Sequence, residues 1–178
     1  EEIEDACANL DIQIAGGHTE ITDAVTRPVL TLTGIGKTKK DEIVYTKGAK
    51  PFQDVVMTKW IGLEGTYLLA KERRSELVTR YPESMIDSAE EFENFLSVVP
   101  EAATAIKSGV SAMHDVSEGG IFSALWQLAE SSGVGLEIDM KKIPVKQATI
   151  EICEFFGLNP YYFVSGGALL IVTDNGHD

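Results

Sequence analysis

The segment Ala112-Met113-His114-Asp115-Val116-Ser117-Glu118-Gly119-Gly120 decides the predicted fold. Residues 110–114 predict a strand, and the paired glycines lead into a predicted helix. The apolar residues of that helix recur with helical spacing: Ile121, Leu125, Leu128 and Ala129. A strand, a glycine turn and an amphipathic helix in this order are typical of layered α/β and α+β domains. Paired glycines also let backbone N–H groups approach an anion at the helix N-terminus, so the turn is a candidate binding site.

The rest of the chain continues the alternation of strands and helices. Further strands are predicted over residues 11–15, 28–36, 41–46, 54–59, 134–138 and 167–173. Further helices are predicted over residues 1–10, 65–80, 88–98, 100–108 and from Pro144 onward. Ser88 and Glu91 have the spacing of a capping box. Three glycines are expected to end helices: Gly109, Gly133 and Gly157.

This pattern predicts an α+β fold (α/β layered) from residue 54 onward, with the strand-rich first fifty or so residues in a different sheet. The chain begins inside a helix that has no start signal, and it stops just after an apolar strand. We therefore expect a piece of a larger protein. The alternative is a complete protein with frayed ends.

The protein is acidic, since 15 Lys and Arg face 28 Asp and Glu and give a formal net charge of −13. Nucleic acids and anionic membranes favour clustered Lys and Arg, so neither is expected as a partner. No apolar run approaches the roughly 18 residues that a membrane span needs. Cys7 and Cys153 lie far apart in helix-like segments, so we expect thiols of a cytoplasmic protein rather than a disulfide or a zinc site.

The turn before the long helix supplies the first candidate site residues. His114 and Asp115 are candidate catalytic groups, and Gly119 and Gly120 are candidate cofactor-binding residues, because open α/β sheets place ligands at this end of a strand. The alternative is a tight turn in which an Asp or Ser caps the helix and the glycines allow close packing.

A second turn, Gly16-Gly17-His18-Thr19-Glu20, follows the predicted strand 11–15. Its first four residues are candidate cofactor-binding groups, and His18 and Glu20 are candidate metal ligands. Carboxylates, or a histidine with a carboxylate, brought together from two strands would suit Mg²⁺ with nucleotide phosphates. The alternative is an exposed or structural histidine.

Two further turns and one misleading pattern remain. Lys59 stands at a strand-to-helix junction and is a candidate phosphate partner, although an exposed lysine is the alternative. Ser165-Gly166-Gly167 precedes a core strand and either brings backbone close to a ligand or forms a bend. Gly34-Ile35-Gly36-Lys37-Thr38 is not predicted to be a P-loop, because that motif needs a glycine where the chain has Thr31 and a helix afterwards.

Several of these segments stand in a distinctive order. They are the turn at residues 16–20, Thr58-Lys59 through Glu64-Gly65-Thr66, the stretch 112–120, and Gly133-Val134-Gly135-Leu136-Glu137-Ile138-Asp139 followed by Lys142-Ile143-Pro144-Val145. In this order they resemble the aminoimidazole ribonucleotide (AIR) synthase superfamily over essentially the whole chain. The resemblance is strongest to its AIR synthase-related and hydrogenase-maturation branch.

The resemblance implies a fold and an activity. Residues 1–51 would be the end of an N-terminal domain that binds ATP and forms a β-barrel with a dimer partner, and residues 52–178 most of a C-terminal domain. ATP and Mg²⁺ would phosphorylate an amide or carbonyl oxygen of a small-molecule or peptide-carboxamide acceptor, which activates it for cyclisation or dehydration. The protein would be a homodimer.

The resemblance also implies site residues. Gly17, His18 and Thr19 align with the turn at the ATP–Mg²⁺ site, where relatives often carry Asp or Glu in place of His18. Asp115, with Gly119 and Gly120, aligns with a turn on the acceptor side. The family's metal-binding and triphosphate-binding segments lie upstream of these residues, so the chain alone is expected to be inactive. The alternatives are a non-catalytic dimeric ligand-binding homologue and an unrelated α/β module.

Overall fold

The computed structural model describes residues 2–176, and the chain divides between Ile43 and Val44 into two compact units. Unit 1 begins with helix α1 (Glu2–Asn9), as predicted, and ends with a 3₁₀ turn (Lys40–Glu42). None of its described residues is buried. Unit 2 contains every other helix and strand of the described chain.

The three strands predicted near the start of the chain, over residues 11–15, 28–36 and 41–46, are absent from the described structure. Alternating apolar residues favour a strand only when a neighbouring strand pairs with its backbone. No described segment forms a ladder with these residues, so the pattern alone predicted them wrongly.

Unit 2 is built on an antiparallel sheet of three strands in the order β1-β3-β2. The strands are β1 (Asp54–Met57), β2 (Ala112–Val116) and β3 (Ala168–Thr173). Each was predicted within a few residues. The predicted strand 134–138 is wrong: its alternate residues Val134, Leu136 and Ile138 pack against the core, but no strand within residues 2–176 pairs with them.

The described part of unit 2 contains six α-helices. They are α2 (Leu63–Glu72), α3 (Arg74–Leu77), α4 (Glu83–Glu90), α5 (Val99–Lys107), α6 (Gly120–Ser132) and α7 (Gln147–Phe155). The predicted helix 65–80 is interrupted at Arg73, where φ is −119°. The predicted capping box is wrong, because α4 begins directly after Pro82 and Ser88 lies within it, donating to the Ser84 carbonyl at 2.9 Å.

The three helix-ending glycines were predicted correctly, since each has a φ of 65° to 78°. Helix α6 packs on one face of the sheet through Ile121, Ala124, Leu125 and Leu128. Helix α5 packs on the other face, where Ala105 meets Leu169 and Ile171. A separate cluster joins α2, α4 and α7. The fold is therefore α+β, as predicted. Among residues 2–176, no helix has both the length and the apolar character of a membrane span.

Candidate functional site

Three glycine turns that the sequence indicated lie at one end of the sheet, where β1 and β2 end and β3 begins. We call them the lysine turn (residues 59–66), the α6 turn (residues 117–120) and the β3 turn (residues 165–167). The register fixes this meeting point, because Met57 pairs with Leu170 and Val116 pairs with Ala168. Residues far apart in the chain thereby share one edge of the sheet.

Ser165 connects the three turns. Its side chain is fully buried, and its Oγ accepts a hydrogen bond from the Gly62 N–H at 2.7 Å and donates to the Phe163 carbonyl at 2.7 Å. The Ser165 N–H donates to the Ser117 carbonyl at 3.3 Å. Sequence reasoning named the turn but did not single out this hydroxyl. The available signal was a serine directly before a glycine pair at the start of a core strand.

The glycines of the α6 turn allow close packing. Gly119 and Gly120 have φ of 78° and 65°, and a Cβ at Gly120 would collide with the Tyr161 carbonyl oxygen. Gly119 is the N-cap of α6, and no side chain caps it. The glycines therefore allow close packing, but no Asp or Ser side chain caps the helix as the alternative to a binding site expected. The first-turn N–H groups of this 13-residue helix have no side-chain cap at the shared edge.

The β3 turn is held against the other two elements. The Gly166 N–H donates to Glu64 Oε2 at 3.2 Å, which links the β3 turn to the lysine turn. Gly167 has a φ of 103°, and a Cβ there would lie 2.6 Å from the Phe95 carbonyl oxygen. Only glycine fits this approach without strain. Glu64 is a second residue that sequence reasoning did not identify.

His114 and Asp115 do not lie together, because consecutive strand residues point to opposite faces of a sheet. His114 faces α6, where its Nε2 lies 2.7 Å from Gln127 Oε1 and its Nδ1 lies 3.2 Å from Thr46 Oγ1. An amide oxygen only accepts, so Nε2 carries the proton and Nδ1 accepts from the Thr46 hydroxyl. These contacts fix the ring and its tautomer.

Asp115 lies on the opposite face and is exposed. Its cross-strand neighbour is Leu169 of the central strand, on the side of the sheet that α5 covers. Of the two candidate catalytic groups, Asp115 has the accessible side chain beside the three turns, whereas His114 is half-buried.

Lys59 does not present a free ammonium group. Its backbone is left-handed, with φ of 55°, and its side chain is only 11% exposed. The Nζ donates to the Ser97 carbonyl at 2.8 Å and forms an ion pair with Glu101 at 2.5 Å. Burial is the largest single influence on Glu101 and raises the pKa of its carboxyl group. The hydrogen bond from Lys59, a backbone hydrogen bond and the charge of Lys59 together outweigh burial and hold that pKa below its usual value.

The turn at residues 16–20 belongs to unit 1 and is described there by itself. It is exposed, and a Cβ at Gly16 or Gly17 would meet open space. His18 Nε2 and Glu20 Oε2 are 4.0 Å apart, with both side chains largely in solvent. Among residues 2–176, no three His, Cys, Asp or Glu side chains come close enough to hold a metal ion.

Residues 41–178 match the family model for the C-terminal domain of AIR synthase related protein. The chain belongs to the AIR synthase-related family. This confirms the resemblance found in the sequence, and the matched region contains the three turns that meet at Ser165.

Relatives of this AIR synthase-related chain include enzymes of hydrogenase maturation. Carbamoyl dehydratase HypE of Cupriavidus necator is 27% identical over 143 residues, which cover 80% of this chain and 38% of that protein. A structure of hydrogenase maturation protein HypE in complex with ATP shares the fold, with a TM-score of 0.55 and 18% identity over 77% of this chain and 38% of its own. The structure of AaThiL complexed with AMPPCP and TMP also shares the fold, with a TM-score of 0.56 and 23% identity over 74% of this chain and 42% of its own. The chain thus spans about 40% of the length of these proteins.

Two boundaries in this AIR synthase-related chain lie close together. The family match begins at residue 41, and unit 2 begins at Val44. Sequence analysis put the domain boundary after Pro51, and that assignment stays a prediction.

Proposed function

We propose that the full-length protein is an ATP- and Mg²⁺-dependent enzyme of the AIR synthase type. It phosphorylates an amide or carbonyl oxygen of a small-molecule or peptide-carboxamide acceptor, which prepares that oxygen to leave during cyclisation or dehydration. Residues 52–178 would be its C-terminal domain, and residues 1–51 the end of its ATP-binding domain.

The observation that carries this proposal is the convergence of the three glycine turns on Ser165. The amides of Gly62, Ser165 and Gly166 donate within the protein and hold the three turns together. The N–H groups at the start of α6 are thereby fixed at the sheet edge, and donors held in this way stabilise developing negative charge without reorganisation during a reaction. The uncapped first turn of α6 lies at the same edge, and helix N-termini favour phosphate. HypE and AaThiL, which share this fold, have been solved with ATP and with AMPPCP.

The described residues fit a triphosphate better than they fit a metal ion. The α6 turn offers backbone amides, which suit phosphate oxygens. Mg²⁺ prefers several oxygen ligands, and the turn at residues 16–20 offers one carboxylate and an imidazole, both exposed. The two candidate metal ligands, His18 and Glu20, do not fit a Mg²⁺ site by themselves, and no step of the proposed reaction is assigned to them.

The remaining candidate residues have distinct proposed roles. Asp115, exposed beside the turns, would orient or deprotonate the acceptor. His114 would hold β2 against α6 through Gln127 rather than touch the acceptor. Gly16, Gly17, Thr19 and the glycines of the α6 turn would approach the nucleotide as backbone, whereas Lys59 would have to leave Glu101 to reach a phosphate.

The test is ATP consumption by the full-length protein with a panel of amide, thiocarboxamide and phosphate-ester acceptors. Asp115→Asn should lower turnover at least tenfold while the melting temperature stays unchanged. Glu137→Gln, another exposed carboxyl group, should leave both unchanged. A fall in melting temperature for Asp115→Asn with normal turnover would contradict the proposed role.

The second candidate is a non-catalytic dimeric ligand-binding homologue. It is favoured by the ion pair that occupies Lys59 and by the sparse metal ligands in the turn at residues 16–20. The enzyme predicts stabilisation by Mg²⁺-ATP, about 2.7 kcal/mol at a hundredfold excess over the dissociation constant. The homologue lacks the phosphate-binding groups, so the absence of any shift in melting temperature at millimolar nucleotide would favour it over the enzyme.

The proposed homodimer is supported by the apolar surface of unit 1, where Val29, Leu30, Leu32 and Ile35 are all exposed. Exposed apolar groups of this kind are typical of interfaces. Sedimentation of the full-length protein should give twice the chain mass, and a monomer at micromolar concentration would contradict this part of the proposal. A cytoplasmic location stays a prediction.

A further inference from the structure

One side of α6 carries an aromatic surface in which two rings are exposed and two are half-buried. We call it the α6 aromatic face: Phe122, Trp126, Tyr161 and Tyr162. Phe122 stacks on Tyr161 with ring centroids 5.4 Å apart, and Tyr162 meets Phe122 edge-on at 5.0 Å. Trp126, one helical turn after Phe122, is 65% exposed, and Tyr162 is 61% exposed. Rigid, exposed Trp and Tyr side chains are the groups that most often dominate binding energy at protein interfaces.

Two carboxylates flank this surface, one near each end of α6. Glu130 lies four residues after Trp126 on the same face of the helix, and Glu118 lies in the α6 turn directly before the N-cap Gly119. Both carboxylates are exposed, and within the described chain neither forms an ion pair.

The surrounding sequence contains no balancing positive charge. No Lys or Arg occurs between Lys107 and Lys141, and none follows Lys146. Helix α6 and the segment that carries both tyrosines are therefore free of basic side chains. A group that complements this surface would carry positive charge, to pair with the carboxylates, and would also pack favourably against aromatic rings.

We propose that the α6 aromatic face binds a protein partner through a segment in which Arg or Lys alternates with apolar residues. An arginine stacks on Trp and Tyr faces and pairs with carboxylates at the same time. A second copy of the chain is disfavoured, because a two-fold contact would bring the carboxylates of both copies together. Nucleic acid and anionic membranes are disfavoured by the same negative charge.

The experiment measures binding of a short fluorescein-labelled peptide, with alternating Arg and Leu, to the full-length protein by fluorescence anisotropy. Trp126→Ala should weaken binding about tenfold and leave the melting temperature unchanged. The double variant Glu118→Gln/Glu130→Gln should weaken binding several-fold and flatten its dependence on salt.

Two control variants separate this surface from general charge attraction. Glu72→Gln/Glu91→Gln removes two exposed carboxylates from other helices, and Phe52→Ala removes a fully exposed ring. Both should bind the peptide as the parent protein does.

Three results would overturn the proposal. The first is an equal loss of binding in the two double variants, because net charge alone would then explain the attraction. The second is unchanged binding by Trp126→Ala. The third is a fall of several degrees in its melting temperature or a change in its oligomeric state, because the ring would then pack within the protein or against a second copy.

Discussion

The two units of the chain contain similar apolar residues but bury them very differently. In unit 1 Ile21 is 99% exposed and Leu32 is 71% exposed, whereas in unit 2 Ile61 and Leu128 are completely buried. The sheet accounts for the difference, because β3 brings two strands and two layers of helices to the same apolar residues. Alternating apolar residues stabilise the fold only when another part of the protein covers them and removes them from water.

The largest contrast is expected from truncating one leucine in each unit. Leu128→Ala should lower the free energy of unfolding by about 2–5 kcal/mol, because it opens a cavity under α6. Leu32→Ala should change it by no more than about 0.5 kcal/mol in the monomeric chain, where that side chain is 71% exposed. Urea denaturation followed by tryptophan fluorescence reports unit 2, which contains both Trp60 and Trp126, and circular dichroism reports the whole chain. Equal losses would mean that Leu32 is buried in solution.

A smaller contrast is expected between two glycines. Gly120→Ala combines a left-handed backbone with a clash against the Tyr161 carbonyl, so it should cost about 2 kcal/mol. Gly17→Ala enters open space and should cost nothing measurable. Thermal unfolding of the two variants measures the difference. A stable Gly120→Ala protein would show that the β3 turn yields to the added methyl group.

The next contrast compares two ion pairs. Lys59→Met leaves the carboxyl group of Glu101 without its partner and should cost about 1 kcal/mol, whereas the exposed pair between Lys39 and Glu42 should be worth almost nothing. The pKa of Glu101 is lowered in the folded state, so its contribution to stability is present above the usual pKa and is lost as the pH falls through the folded value. Acid unfolding should therefore be less steep in Lys59→Met than in Lys39→Met, and identical curves would contradict the assignment.

The smallest expected effect is a difference in thiol labelling between the two cysteines of the unmodified chain. Burial raises the pKa of the Cys153 thiol in unit 2 to about 11, so roughly one molecule in a thousand carries its thiolate at pH 8. Cys7 in unit 1 is partly exposed. A thiol reagent should label Cys7 rapidly in the native protein and Cys153 only after unfolding. The Cys7→Ser variant is the control, and its rapid labelling in the native state would contradict the buried position of Cys153.

Signals confined to a few residues predicted this fold well. Gly109, Gly133 and Gly157 end helices because a left-handed residue is a local requirement that needs no distant partner. The strands predicted in unit 1 failed for the opposite reason, since a ladder depends on another segment. The capping box predicted at Ser88 was wrong because the helix begins earlier, directly after Pro82.

The sequence predicted the turns of the candidate site but not the hydrogen bonds that connect them. The three glycine turns were recognisable, but the bond from Gly62 to Ser165 joins residues 103 positions apart, and no local pattern reports it. His114 and Asp115 were both predicted as catalytic groups because they stand at the same end of a strand. The period of two along a strand separates them and could have been applied in advance.

The order of the strands in the sheet has a consequence for synthesis. The central strand β3 is the last of the three to leave the ribosome, and the bond between Leu169 and Thr58 spans 111 residues. Until then β1 and β2 have no ladder partner within the sheet, and the helices between them must form without it. The sheet is therefore completed late, after a long loop has closed, and folding of unit 2 should be slow compared with a helical bundle of the same size.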